Sequence, residues 1–306
     1  LNKKIPTGTL TLTLLAVVAY IMLTEITIIF GPVVMPFAIY LLLKIKQQST
    51  ANYWILFFSF LIPAMLFLSP LATGSFIILY IITSILAHTL DKKISQELTL
   101  FYTTFAIGLS TMATVIVMQM LGFLRPLSEI YATFRNWYAE QLNTVSELTP
   151  DVMDADTVLQ AMDLYFQNLP AFLIIGSFFL ALYIILIVRL MPQDNTQMWN
   201  YRSFDKWIMP RMLLYLYMLI FIIMLFSGNW EESTITLYSN ISLILEWALF
   251  IHGLAFAYYF MLSKKLNKVL AIIILIPLVL FRPITVLIGL FEMIFRIRLI
   301  MELRRK

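Results

Sequence analysis

Residues 169–190 run through Leu, Ile, Phe and Ala with a single charge, Arg189, at their end. A hydrocarbon layer of about 30 Å takes roughly 20 apolar residues as a helix, and comparable runs recur along the chain. They lie at 8–29, 33–45, 53–69, 75–90, 97–121, 207–227, 235–262 and 267–296, the last broken by Pro277 and by Arg282-Pro283. Alternating strand patterns are absent, and backbone polar groups in lipid must pair within their own segment, so these runs predict helices. The chain is 61% hydrophobic and 12% charged, against about 45–50% and about 25% for soluble domains. A water-soluble enzyme, a nucleic-acid-binding domain and a disordered chain are thereby excluded. The fold class is all-α: a polytopic transmembrane helix bundle of about eight to ten membrane segments.

Charge placement orders the segments. With the N-terminus inside, only Arg125, Arg135 and Arg282 of the 21 lysines and arginines fall outside. That is the positive-inside pattern, and it puts both termini on the cytoplasmic face. An even number of crossings follows: ten segments with 267–281 and 284–296 as a hairpin, or eight spans plus a re-entrant pair. Pro32, Pro36 and Pro63 predict helix starts or kinks. Three regions result: a five-segment half (1–121), an extracytoplasmic loop (122–168) and a second membrane half (169–306) ending in a basic tail. In the loop, Pro126 to Asn143 places Ile130, Phe134, Trp137 and Tyr138 at helical spacing. Thr149-Pro150-Asp151 reads as the cap and first turn of a second helix over 152–167. This loop either lies on the outer membrane surface or acts as a lid. The first apolar run is too long, and lacks the small-residue cleavage site, for a signal peptide.

Catalytic signatures are missing. No phosphate-binding glycine loop, His-Glu-x-x-His or Gly-x-Ser-x-Gly occurs. The chain has no cysteine, and its two histidines, His88 and His252, are far apart. No enzyme activity, metal or cofactor is expected. Ionisable groups inside apolar runs each need a reason, because they cost about 2.5–3.5 kcal/mol or more there. Glu25 sits at the outer end of the first run, and is either an interfacial residue or part of a site. Asn240, Glu246 and His252 are spaced six apart, about 240° net around a helix, so they cannot all face one partner. Glu246 is either a polar link to another helix or a ligand anchor. Arg282, at the hairpin tip, snorkels or meets an anion. Glu292 and Arg296, four apart, form the favoured orientation of a helical ion pair.

Asn168-Leu169-Pro170, Arg202 through Pro210, His252-Gly253 and Ile288-Gly-Leu-Phe-Glu-Met-Ile-Phe-Arg296 together resemble the YybS-like family of predicted bacterial membrane proteins. The chain departs from that pattern at Glu292, where the family has Asp, and at His252, where it has Gln. The family is in turn distantly similar to the substrate-binding subunits of energy-coupling-factor transporters, whose N-terminal half the Gly31-Pro32-Val-Val-Met-Pro36 turn resembles. This likeness implies a bacterial cytoplasmic-membrane protein that binds a small molecule and takes its ATPase from partners. Proximity of family genes to a cyclic-dinucleotide phosphodiesterase implies a second possibility, a membrane partner of signalling machinery.

Two expectations follow. In the first, the chain is a membrane-embedded small-molecule-binding subunit, with Asn240, Glu246 and His252 lining an outward cavity, and Arg282 and Glu25 at its mouth. Its partners are the bilayer and a coupling module. In the second, it is a non-transporting scaffold whose core is filled and whose Glu246 bonds another helix. Nucleic acid is not a partner in either.

Overall fold

A computed structural model describes residues 6–27, 30–148, 155–191, 203–226, 228 and 230–303, with the side chains of 143–148 left out. Thirteen α-helices follow one another, with no strand among the described residues. They are α1 (Thr7–Ile26), α2 (Phe30–Gln48), α3 (Thr50–Phe67), α4 (Pro70–Asp91), α5 (Gln96–Met120), α6 (Leu127–Leu148), α7 (Ala155–Gln167), α8 (Leu169–Leu190), α9 (Met212–Leu225), α10 (Glu232–Ser263), α11 (Lys268–Leu280), α12 (Arg282–Phe295) and α13 (Ile297–Leu303). Seven of these, α1 to α5, α8 and α10, are long and apolar enough to cross a membrane. The chain is an all-α polytopic membrane bundle. Every apolar run read from the sequence contains helix, and both helices expected within 122–168 are present, as α6 and α7. The expected Thr149 cap lies outside the described residues.

Three expectations change. The run 207–227 becomes a helix only from Met212, so α9 has 14 residues, about 21 Å at 1.5 Å per residue and short of a full crossing. Residues 204–206 form a 3-10 turn instead, and the chain stays extended through Trp207. Pro36 and Pro63 neither start nor end a helix but lie inside α2 and α3. Each removes a single ladder bond, a loss that helices in lipid tolerate when neighbours cover the freed carbonyl. The pair α11 and α12 bends by 108° at Phe281, between a straight kinked span and a closed hairpin.

The helix ends are encoded locally. Ser49, Ser69 and Ser95 each accept from the backbone N–H three residues on, capping α3, α4 and α5. Lys93 and Lys265, with φ of 53° and 63°, stop α4 and α10 in the left-handed region.

The chain divides into two compact units, Leu1–Leu159 with Gly176–Asn200, and Gln160–Ile175 with Tyr201–Lys306. In the first, α2 packs on α1 and α4, and α4 on α5. Ile39, Leu42, Phe76, Leu79 and Leu86 are wholly buried. Phe57 stacks on Phe76 at 5.8 Å, and the Tyr53 hydroxyl donates to Tyr80 O at 2.8 Å. In the second, α10 and α12 form the main contact, around Leu214, Leu249, Phe250, Val286 and Met293. Gly253 and Gly289 sit where these two helices touch. A Cβ on Gly253 would meet Thr285 O, and one on Gly289 would meet Leu249 O. Only glycine allows backbones that close, and this contact sets how α10 presents its side chains to α12.

Candidate functional site

The polar residues of α10 reach three different places. Asn240 is buried at the junction of α7 and α8. Its Oδ1 accepts from Ala171 N–H at 2.9 Å, and its Nδ2 donates to Gln167 O at 2.9 Å and Thr236 O at 2.8 Å. Pro170 carries no N–H, so Ala171 offers an early orphan donor of α8, and Asn240 satisfies it. Ser239 Oγ donates to Asn168 Oδ1 beside it at 3.0 Å. Two of the three bonds at Asn240 join α10 to the α7–α8 junction, and the third, to Thr236 O, stays within α10.

Two turns further along, Glu246 meets Arg282, the first residue of α12. Arg282 Nη2 donates to Glu246 Oε2 at 3.0 Å, and the guanidinium carbon lies 5.0 Å from the Trp247 ring centre. The side chains of this pair are 35% and 30% exposed. The bend at Phe281 puts Arg282 at a helix start, where its long stem can reach α10.

His252 is fully buried another two turns on. Its Nδ1 accepts from Met209 N–H at 3.3 Å, so the proton resides on Nε2, which donates to Glu292 Oε2. Glu292 Oε1 also faces Arg298 Nε at 3.5 Å. Arg298 Nη1 donates to Asp205 O at 2.8 Å and Trp207 O at 2.9 Å. The guanidinium sits 5.7 Å from the Phe256 ring and 5.5 Å from the Tyr259 ring. Burial pushes the Arg298 pKa below its ordinary value, and the Glu292 carboxylate draws it back up. Glu292, His252 and Arg298 thus form one network, and it straps residues 205–209 to α10, α12 and α13. The Nη2 of Arg298 has no hydrogen-bond partner among the described residues.

Two expected groupings are corrected. Asn240, Glu246 and His252 lie about 9 Å apart in succession along α10, and each serves a different contact. Glu292 pairs with His252 and Arg298, not with Arg296. Arg296 has φ 51° and ψ 46°, ending α12 in the left-handed region, so the helical face that an i, i+4 pair needs stops short of it. The turn brings Arg298 round instead. Glu25 belongs to the first unit, where it accepts from Ser69 N–H at 3.3 Å and Ser69 Oγ at 2.7 Å at the start of α4.

Arg298 and Trp247 are the residues the sequence reading missed. Arg298 was one more cation in a basic tail, and no spacing rule links it to Asp205 across 93 residues. Trp247 carried a signal, its adjacency to an acid inside an apolar run. Among the described residues, no three His, Asp or Glu side chains converge on one point.

Neither a curated protein nor a solved structure matches the chain. A family described as "Predicted membrane protein (DUF2232)" matches residues 9–294. That span takes in all but the first two residues of the seven spanning helices, the Glu246–Arg282 pair, and His252 with Glu292. The chain is therefore a member of the DUF2232 family of predicted membrane proteins.

Proposed function

We propose that this protein is a membrane-embedded small-molecule-binding subunit, similar in role to a transporter's substrate-binding component, with no ATPase of its own. The observation that carries this reading is the Glu246–Arg282 pair. It sits between two apolar helices, yet about a third of each side chain stays exposed. Charges facing hydrocarbon are costly, so the open side of the pair has to meet water, a polar ligand or another protein. A carboxylate and a guanidinium side by side, with the Trp247 indole against the latter, match a ligand bearing both a cationic and an anionic group. In this reading both termini are cytoplasmic, the membrane is the bacterial cytoplasmic membrane, and the energy for any transport comes from a partner coupling module. No catalytic step is part of it.

The test is native mass spectrometry of gently purified protein, followed by thermal shifts across a panel of vitamins, amino acids and metal ions. The reading expects a co-purified ligand or a shift, and its loss in Glu246→Gln. No adduct and no shift across the panel would sink it.

A second reading has its own support. Asn240 and His252 are consumed by contacts between helices, and Glu246 bonds another helix, as a non-transporting scaffold would have them. A partner helix, such as one from a signalling phosphodiesterase complex, would then cover the pair. Crosslinking from position 246 in membranes separates the two: a fixed protein partner favours the scaffold.

A further inference from the structure

Helix α6 is exposed on both its polar and its apolar face. Leu127, Ile130, Phe134 and Trp137 follow a helical stripe, and their exposures are 37%, 40%, 51% and 54%. Tyr131 and Tyr138 flank them. The Phe134 ring stacks on Tyr138 at 6.1 Å and lies 5.9 Å from Trp137. At about 100° per residue these six side chains fill an arc of about 120°. Glu129, Thr133, Asn136 and Glu140 occupy the opposite arc.

The chain leading into α6 indicates what covers the stripe. The last turn of α5 ends in exposed Met120 and Leu121, and exposed Phe123 follows, so the apolar surface of a spanning helix continues toward α6. Only residues 121–126 separate the two helices, about 20 Å even when extended. That link is shortened further because Phe123 N–H and Leu124 N–H both bond back to Met118 O, at 2.9 and 3.2 Å. Leu127 therefore begins within one short turn of the hydrocarbon boundary. Aromatic rings with a polar edge fit the headgroup level of a bilayer. Acids outnumber Arg135 on α6, which disfavours anionic lipid and makes a like-charged second copy a poor fit.

We propose that α6 lies in the plane of the membrane, its Leu127, Ile130, Phe134 and Trp137 stripe seated in the zwitterionic headgroup boundary of the leaflet where α5 ends. The helix then acts as a float beside the spanning helices and fixes the level of the outer loop.

The chain has no cysteine, so single cysteines can be placed at will. Nitroxide labels at 130, 134 and 137, and at 132, 136 and 139, would be read in full-length protein reconstituted in phosphatidylcholine vesicles. Collision with oxygen should exceed collision with a water-soluble nickel chelate several-fold at the first three positions and reverse at the second three. Equal access to the chelate at all six would overturn the proposal. So would spin–spin coupling between chains at the stripe, the mark of a second copy. Hydroxyl-radical footprinting of the unsubstituted protein in the same vesicles removes any effect of the labels: Trp137 should be protected, and oxidation at the rate of a free indole would overturn the proposal.

Discussion

Replacing Arg298 with methionine tests the buried strap most directly. Methionine nearly preserves the length of the stem and removes the charge. The change deletes two bonds to the carbonyls of Asp205 and Trp207 and leaves Glu292 with His252 alone. Breaking a buried pair by removing one partner costs about 3–5 kcal/mol. The two carbonyl bonds are worth about 1.5–3 kcal/mol each when the donor is charged, but they are lost in the same event, so the expected total stays near about 4 kcal/mol. Relative side-chain exposures of 6% and 8% for Arg298 and Glu292 mean little solvent screening. The double variant Arg298→Met with Glu292→Met should cost less than the sum of the singles, with a coupling of about 1.5 kcal/mol or more. Denaturant unfolding in detergent micelles measures the stability. A cysteine at Met209, which is partly buried against the α10–α12 core, reacted with a water-soluble maleimide, reports whether the strap has come loose. Labelling should accelerate at least tenfold in Arg298→Met. If Arg298→Met stays within about 0.5 kcal/mol of the parent and the Met209 cysteine reacts no faster, the network does not hold the strap, and the reasoning fails.

Three further outcomes follow from the same contacts. Gly253→Ala and Gly289→Ala each drive a Cβ into the backbone of the facing helix, so both should lower folded yield by overpacking, about 1–3 kcal/mol or more, whereas Gly176→Ala, with open space around its Cβ, should be neutral in size-exclusion recovery. Asn240→Leu removes the acceptor of Ala171 N–H and two donations; unfolding should show a loss of about 1–3 kcal/mol, with protease cleavage near residues 160–171 appearing first. Reporter fusions at 140–160 and after Leu303 should report opposite sides of the membrane, and finding both on one side would overturn the charge-based topology.

The apolar runs were legible because lipid leaves a chain few choices. A segment with no water to bond must satisfy its own backbone, so hydropathy alone located the seven helices long and apolar enough to cross, and helical spacing located α6 and α7. The polar residues inside those runs were legible as exceptions for the same reason: each of Asn240, Glu246, His252, Arg282 and Glu292 did need a partner. Which partner it found was not local information. The 108° bend at Phe281 sends Arg282 to Glu246. The glycine contact between α10 and α12 sets His252 against Glu292. The left-handed turn at Arg296 withdraws the cation that sequence spacing favoured and supplies Arg298 in its place. A helix period is written in neighbouring residues, while a side-chain pairing depends on where two backbones cross, and that crossing is set by packing between segments tens of residues apart.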